Sequence, residues 1–591
     1  MSSKEDKMEE PSDDAAYDMS DGPWFHEQRD LDVIEVAGDL KTGQLKALAL
    51  ALGLTWAIDV ALALEDKEKT GAAFLALWGF LGTYDNSPMP SDAEWAMHIG
   101  QLVAWGVLRK LVNPPHVPRI YFRYFEVPKS GNVNRTIFDG SWAKTHWSKP
   151  GRVGLPTVAT IMEVLSMLPN AVFVCSDIRS WFHVIPLPEA VRRLFSVTLE
   201  GDPDGVIYEL NVTPMGHPAC CRHAQICAWI MILSSPPAGT RPDLSGCKDD
   251  PPPFVWFLNS KGERVGVLFL WIDNVFFAAA NQVIAESFAK RLKELQKGGP
   301  RDCGITWKEL EVGKTCTFLG MLIGWHNGVL YWKHKDGNVK RWKELIEKPI
   351  KTVHDVQMRL GVISWDVCVR NLAFAEVREL LDLMPKQSTS RACKASHTLT
   401  SQQIESINAR LQALCKNSGV SRGRFAIPKT QIFAFSDATL VRRAFFLCDA
   451  QGNVVGAEVI GPATTAVDIY EEESDTALDA IMKGWEVADH VNLGCDNMNT
   501  VFSYQRRNAK RRSVCARILM LEGKPGKSFS IVYVPTDDMP ADGLTRANKA
   551  EFWRGKWYQG KGYAIERHKI AVALERVKPF APGEKSRKRD E

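Results

Sequence analysis

Apolar positions along the 591-residue chain change period several times, and each change marks a different kind of element. From Lys41 to Leu81, Ala and Leu recur at helical spacing, and Ala93 to Val112 repeats the pattern, so an N-terminal helical region is expected. From Arg119 short aromatic and β-branched runs with Gly and Pro punctuation take over (RIYFRYFEVPKSGNVNRTIF), predicting a hairpin centred on Ser130 to Asn132. The strand-like runs AVFVCSDI, VIYELNV and VGVLFLWI then alternate with helical stretches at Cys220 to Leu233 and Asn281 to Leu295. An α+β sheet domain therefore extends to about Tyr331, with Ser234 to Pro253, rich in Pro, Gly and Asp, as a surface insertion. Helical period returns from Asn338 to Pro385, Lys386 to Ala395 is polar and turn-prone, and a second α/β unit opens at Thr430 with QIFAFSD.

These changes divide the chain into an acidic, disordered head at 1–31, an N-terminal helical region at 32–115 and a first sheet domain at 116–335. Further helices follow at 336–395, a linker helix and loop at 396–429, an α/β domain at 430–550 and a charged tail at 551–591. No internal repeat is visible.

Composition adds limits. Hydrophobic residues make up 45% of the chain and charged residues 24%, the balance of ordinary globular domains rather than of a fibrous or disordered class. A net charge of +3 does not by itself announce nucleic-acid binding, because an acidic head can offset basic surfaces elsewhere. Residues 1–21 lack an apolar core, so no secretory signal is expected, and Asp59 interrupts the longest apolar stretch, so no transmembrane helix is expected. The 13 cysteines form no C-x-x-C pair, which fits reduced thiols in a cytoplasmic or nuclear protein. The terminal KSRKRD is read either as a solvated tail or as a targeting element.

Candidate chemistry starts with two aspartates at strand ends. VFVCSD ends in Asp177, and VLFLWID ends in Asp273, followed by Asn274. Carboxylates on neighbouring strand ends can hold two Mg²⁺ ions about 3.5 to 4 Å apart, which activates a hydroxyl for attack and stabilises a leaving pyrophosphate. Either aspartate alone would be unremarkable as a strand terminator. A second acidic series follows: Asp437 after FAFS, Glu472 and Glu473 in DIYEEESD, Asp496 after NLGC and Asp542 in VPTDDMPADGLTR. Carboxylates spread over strands and helices suit two-metal phosphodiester hydrolysis, though each alone reads as a cap or solvated acid. The stretch HPACCRHAQIC suggests zinc, but no paired knuckles flank it, and a buried small-residue helix face accounts for it better.

Taken in order, these segments resemble retroelement reverse transcriptases with a ribonuclease H domain, over about Tyr121 to Arg546. VPKSGNVNRTIFDGSWAK is similar to the fingers hairpin, SDIRSWFHVIPL to the first catalytic motif, NVTPMGHPACCRHAQ to the Pro-x-Gly segment and LWIDN to the aromatic-x-Asp-Asp hairpin. GITWKELEVGKTCTFLGMLIG resembles the later lysine segment and the Phe-Leu-Gly primer grip, and VPTDDMPADGLTR the end of the ribonuclease H domain. The resemblance implies an α+β multidomain right-hand polymerase (fingers, palm, thumb) followed by an α/β ribonuclease H fold.

It also assigns roles. Asp177 and Asp273 become metal ligands, with the Ile178 carbonyl as an additional oxygen. Lys129 and Arg135 would neutralise the triphosphate, Phe182 would exclude a 2′-hydroxyl, and Pro214, Met215 and Gly216 would shape the base pocket. Lys308, with Lys314 as the alternative, would be a general acid toward pyrophosphate. Asp437, Glu473, Asp496 and Asp542 would bind the nuclease metals, helix phase deciding between Glu473 and Glu472. The implied cofactor is Mg²⁺, or Mn²⁺, two ions per site; the implied substrates are RNA template, DNA primer, RNA/DNA hybrid and dNTPs.

Two departures stand out: Asn274 replaces the family's second aspartate, and Trp271 its usual tyrosine. No histidine lies in the loop just before Asp542, where some family members keep one. The absence of protease and integrase motifs resembles the DIRS order of tyrosine-recombinase retrotransposons, the trypanosomatid VIPER elements in particular, implying a capsid-like protein and a tyrosine recombinase as companions. Two rivals stand beside an active polymerase: a decayed polymerase fold that only binds nucleic acid, and a hybrid-specific ribonuclease on a polymerase-shaped clamp.

Overall fold

The computed structural model describes residues 30–31, 34, 37–64, 98–112, 119–129, 133–140, 151–197, 207–248, 250–384, 394–416, 421–422, 430–461, 468–522, 524, 526–546, 565 and 567–577. The acidic head up to residue 29, the hairpin turn at 130–132, most of the polar linker after Lys386 and the last residues of the tail lie outside them. The chain forms a mixed α/β multidomain protein of two compact units, residues 1–330 and 331–591. Among the described residues no helix is long and apolar enough to cross a membrane.

The first unit holds two six-stranded sheets. One runs, from edge to edge, Asp30–Leu31, Val133–Asp139, Ile120–Lys129, Phe195–Val197, Ile207–Leu210 and Leu108–Leu111. Its hairpin strands Ile120–Lys129 and Val133–Asp139 pair antiparallel, with Arg135 opposite Val127. The other runs Glu311–Gly313, Val172–Asp177, Asn274–Ala279, Arg264–Trp271, Val255–Leu258 and Arg241–Pro242. Its central strands are apolar on both faces because both faces are covered, and the period of two separates the partners. Val174, Leu270, Val275 and Phe277 enter the main core with the helices Pro218–Leu233 and Gln282–Leu295. Phe173, Phe269 and Phe276 form an aromatic cluster on the other face, where Phe276 lies 5.0 Å from Phe318.

One expectation changes here. Ala93 to Val112 is not one helical stretch: Ile99–Ala104 is helical and Leu108–Leu111 is a strand, because Leu111 to Leu108 find a ladder on Ile207–Leu210. The N-terminal helices Thr42–Leu52 and Thr55–Leu64 bury Leu45, Trp56, Val60 and Leu64 in one core with the sheet helices. The insertion at 234–253 is anchored to the core: its Cys247 is buried, the Cys247 carbonyl accepts from the Trp56 indole at 2.6 Å, and Arg241–Pro242 adds an edge strand.

In the second unit, Asp336–Glu347, Val353–Val369 and Ser401–Lys416 pack as helices. Thr352 and Asp355 form a reciprocal capping box that starts the middle one. Arg359 is wholly buried, and its guanidinium donates to the carbonyls of Leu345, Lys348 and Asp355 and to Asn408 Oδ1. A five-stranded sheet follows in the order Val454–Ile460, Arg442–Cys448, Gln431–Thr439, His490–Cys495, Ser528–Tyr533. The last three strands are parallel, and the long helix Ile469–Val487 lies on one face, burying Ala477, Ile481 and Trp485 against Ala434 and Leu493. The opposite face is closed by Arg567–Val577, a helix within the segment expected to be a charged tail. Ile570, Ala573, Leu574 and Val577 recur at helical spacing and are buried on Phe433, Phe435 and Phe446, so the charges of this segment sit on an amphipathic helix.

Two candidate active sites

The first site forms where two strands of the second sheet end beside the segment that carries Lys308. Register places Asn274 opposite Asp177, so the turn Ile272–Asp273 sits beside the end of the Val172–Asp177 strand. The Ile178 N–H donates to the Asp273 carbonyl at 3.0 Å, and the Lys308 N–H to the Asp177 carbonyl at 2.8 Å. Lys308 Nζ reaches Asp177 Oδ2 at 3.0 Å, whereas Lys314 Nζ meets the Asn170 carbonyl at the far end of the same strand. The geometry therefore brings Lys308, not Lys314, to the acidic pair.

Asp273 keeps some exposure, yet the protein atoms crowding it push its carboxyl up to about 6, and the Asp177 charge adds to the effect. Lys308 and the Asn274 amide, which donates to Asp273 Oδ1 at 2.9 Å, act the other way. Asn274 thus supplies a donor where an aspartate would add a third negative charge.

The turn itself is held by a residue that the motif reading missed. Ile272 has φ 59°, a conformation that a β-branched side chain resists. Gln225, fully buried on Pro218–Leu233, donates through Nε2 to the Leu270 carbonyl at 3.0 Å and accepts the Ile272 N–H on Oε1 at 2.5 Å. One amide thereby grips both sides of the turn that carries Asp273. Its signal in the sequence was a lone amide in the apolar run AQICAWIMIL.

Around this site, Thr213 Oγ1 donates to the Phe182 carbonyl at 2.6 Å and its N–H to Ile185 at 3.0 Å, which lays the segment of Pro214, Met215 and Gly216 along that of Phe182. Gly216 bridges to Asp139, and a Cβ there would stand 2.4 Å from the Phe138 carbonyl, so only glycine admits this approach. Phe182 is partly buried, and Arg135 is half-exposed in the hairpin. The Lys129 side chain lies outside the described residues.

The second site gathers at the ends of parallel strands. Asp437 is buried on Gln431–Thr439 and accepts from the Thr545 hydroxyl. Glu473 Oε1 accepts the Ala438 N–H at 2.8 Å, and Cys495 Sγ lies 3.7 Å from Glu473 Oε2. Ligand atoms of Glu473, Cys495 and Asp496 all lie within 4.8 Å of one another. Asp496 also accepts from the Thr536 hydroxyl at 2.9 Å, in the loop before Asp542. Burial, then Asp496 and Asp437, push the Glu473 carboxyl well above the usual range. The neighbouring Glu472 turns to Arg443 at 3.6 Å instead. Asp542 is buried at the start of Asp542–Arg546, which contacts the Gln431–Thr439 strand.

The histidine and cysteine run on Pro218–Leu233 forms no comparable group: among the described residues, only Glu473, Cys495 and Asp496 bring three such ligand atoms together. Burial holds the Cys220 and Cys227 thiols up and lowers His217 to about 3, so this face is a neutral core face.

No protein-family model matches the sequence, and no curated protein matches it. Among solved structures, a foamy viral protease-reverse transcriptase in complex with double-stranded DNA aligns at 14% identity and a TM-score of 0.38, over 78% of this chain and 73% of that one. A second such complex aligns at 13% and 0.37, over 86% and 99%. One with RNA/DNA hybrid aligns at 14% and 0.38, over 86% and 64%. Identities this low leave both sites to be read from their own residues.

Proposed function

We propose that the chain is an RNA-directed DNA polymerase with ribonuclease H activity, which copies retrotransposon RNA into DNA and degrades the RNA of the resulting hybrid. The observation that carries this reading is the meeting of Asp177, Asp273 and Lys308 from three separate segments, each of them picked out by motif order. A second, unconnected group of carboxylates at Asp437, Glu473 and Asp496 supports the nuclease half.

The donor sets fit a hard divalent cation. At the first site Asp177, Asp273 and the Ile178 carbonyl offer oxygen; at the second Asp437, Glu473, Asp496 and Asp542 do, with the Cys495 thiol adjoining. Like charges crowded in partial burial, as at Asp273 and Glu473, are relieved by such a cation. When bound, two Mg²⁺ or Mn²⁺ ions per site supply activation of the attacking oxygen and charge relief for the leaving group.

The chain's own residues do the rest. Arg135 and Lys129 neutralise the triphosphate, the Arg fork fixing its orientation. Phe182 packs under the sugar and rejects a 2′-hydroxyl, Pro214, Met215 and Gly216 shape the base pocket, and Lys308 passes a proton toward pyrophosphate. In the nuclease, Thr545 and the Ala438 N–H orient Asp437 and Glu473. RNA template, DNA primer, hybrid and dNTPs are the partners so implied, with a capsid-like protein and a tyrosine recombinase as companions if the element is of the DIRS order. The residues upstream of the hairpin, 37–64 and 98–112, belong with the polymerase half, the helices at 336–395 are its thumb and connection, and Ser401–Lys416 falls in the linker helix and loop at 396–429.

Asn274 favours one rival, a hybrid-specific ribonuclease that no longer extends primers, because the hairpin lacks one carboxylate. Extension of a DNA primer on RNA, with cleavage of a labelled hybrid followed in parallel, separates the readings. The proposal expects extension by wild type, lost in Asp273→Ala while cleavage persists. Extension absent under both Mg²⁺ and Mn²⁺, but restored by Asn274→Asp, would establish the rival instead.

A further inference from the structure

A four-residue helix cannot satisfy its own last carbonyls, and Trp181–Val184 is such a helix. Its acceptors are met from outside. The Phe182 carbonyl accepts from Thr213 Oγ1 at 2.6 Å. The His183 carbonyl accepts from the Gly38 N–H at 2.8 Å and the Val184 carbonyl from the Leu40 N–H at 3.0 Å. Two of these three donors come from a short strap far upstream, in a part of the chain to which no motif assigns a role.

The strap is itself fastened on both sides. The Lys41 N–H donates to the Cys303 carbonyl at 3.1 Å, Lys41 pairs with Asp302 at 2.7 Å, and Asp39 pairs with Lys297 at 2.6 Å. Leu40 is buried in the main core. Trp181, His183 and Val184 are also buried, whereas Phe182 keeps part of its ring exposed. Side-chain direction on a helix follows the backbone. What holds the carbonyls of residues 182 to 184 therefore aims the Phe182 ring.

We propose that Gly38 and Leu40 are positioning residues for Phe182, and that the strap at 37–41 sets how strictly the polymerase rejects ribonucleotides. This rests on the function proposed above and on the role of Phe182 within it.

Gly38 allows a clean test. Its φ is +71°, and a Cβ there would meet only Pro186 Cβ at 3.8 Å and Val212 Cγ1 at 4.0 Å, ordinary contacts. A side chain is opposed by backbone conformation alone, which asparagine tolerates and valine does not. In the full chain, kcat/KM for a dNTP and for the matching rNTP gives a discrimination ratio, and hybrid cleavage reports on the nuclease.

Gly38→Val should lower the ratio about tenfold, through a strained backbone that drags the strap, while Gly38→Asn keeps the wild-type ratio. Both variants should cleave hybrid as wild type does. If Gly38→Val does not fold, Gly38→Ala, which still resists the left-handed region, decides by the same ratio. A ratio unchanged in the folded variant, when Phe182→Ala relaxes it, overturns the strap's role alone. An unchanged ratio in Phe182→Ala removes the assigned role of Phe182 and the proposal with it.

Discussion

At the scale of single residues, the nuclease site turns on one step of helix phase. Glu473 faces Asp437 and Asp496, while Glu472 faces Arg443. Glu473→Gln should lower hybrid cleavage by more than about a hundredfold, beyond the range of changes to supporting residues, and Glu472→Gln by no more than about tenfold. Equal losses in a cleavage assay would show that the assignment is wrong. Asp273 leads to a pH dependence. Its carboxyl is pushed up to about 6 by crowding and by Asp177, so protons and Mg²⁺ compete for it across that range. The apparent Mg²⁺ affinity of primer extension should rise as pH climbs from about 5 to about 7 and then level off. Without the cation the sign for stability is the reverse: a raised carboxyl favours the fold below its unfolded value and loses that contribution as pH rises through about 6. A flat Mg²⁺ affinity over the range would exclude Asp273 as a ligand.

At the scale of elements, the hairpin that carries Asp273 depends on the helix behind it. Ile272 is held in a left-handed conformation by two hydrogen bonds to one buried amide. Replacing Gln225 by Leu leaves the Ile272 N–H and the Leu270 carbonyl without that partner, at about 1–3 kcal/mol each. We expect Gln225→Leu to lower kcat of extension by about ten- to a hundredfold, with hybrid cleavage unchanged. Unaltered extension by a folded variant would show that the turn holds itself. Motif order located the strands on either side of this turn, but not the amide. A polar side chain inside an apolar helix has no partner that spacing can reveal, and its partner here is 45 residues away.

At the scale of the whole molecule, two compact units carry the two sites, so loss of stability in one should leave the other. Leu574, buried at the closing helix of the second unit, provides the lever. Leu574→Ala should cost about 2–5 kcal/mol and shift one thermal transition, that of the nuclease-bearing unit, while primer extension below that transition persists. A single cooperative transition that shifts as a whole would mean that the units unfold together.

The sequence by itself determined most of the element types and which acidic residues stand near the ends of strands. Apolar runs that reach an aspartate read as strands, and period-two and period-3.6 patterns are local properties of the chain. That is why Asp177, Asp273, Asp437 and Asp496 could be put forward as candidates from the runs that carry them, whereas the i, i+3, i+4, i+7 apolar set of Arg567–Val577 was read as part of a charged tail because its charges disguised it. What only tertiary structure decided is which long-range partners complete each site. The Lys308 contact with Asp177, the Glu472 contact with Arg443, the Gln225 grip, the Thr545 and Thr536 contacts and the strap under Phe182 all depend on groups distant in sequence. Local pattern specifies which face of an element is buried; it cannot specify what is buried against it, because that is fixed by the register and packing of segments that meet only in the folded chain.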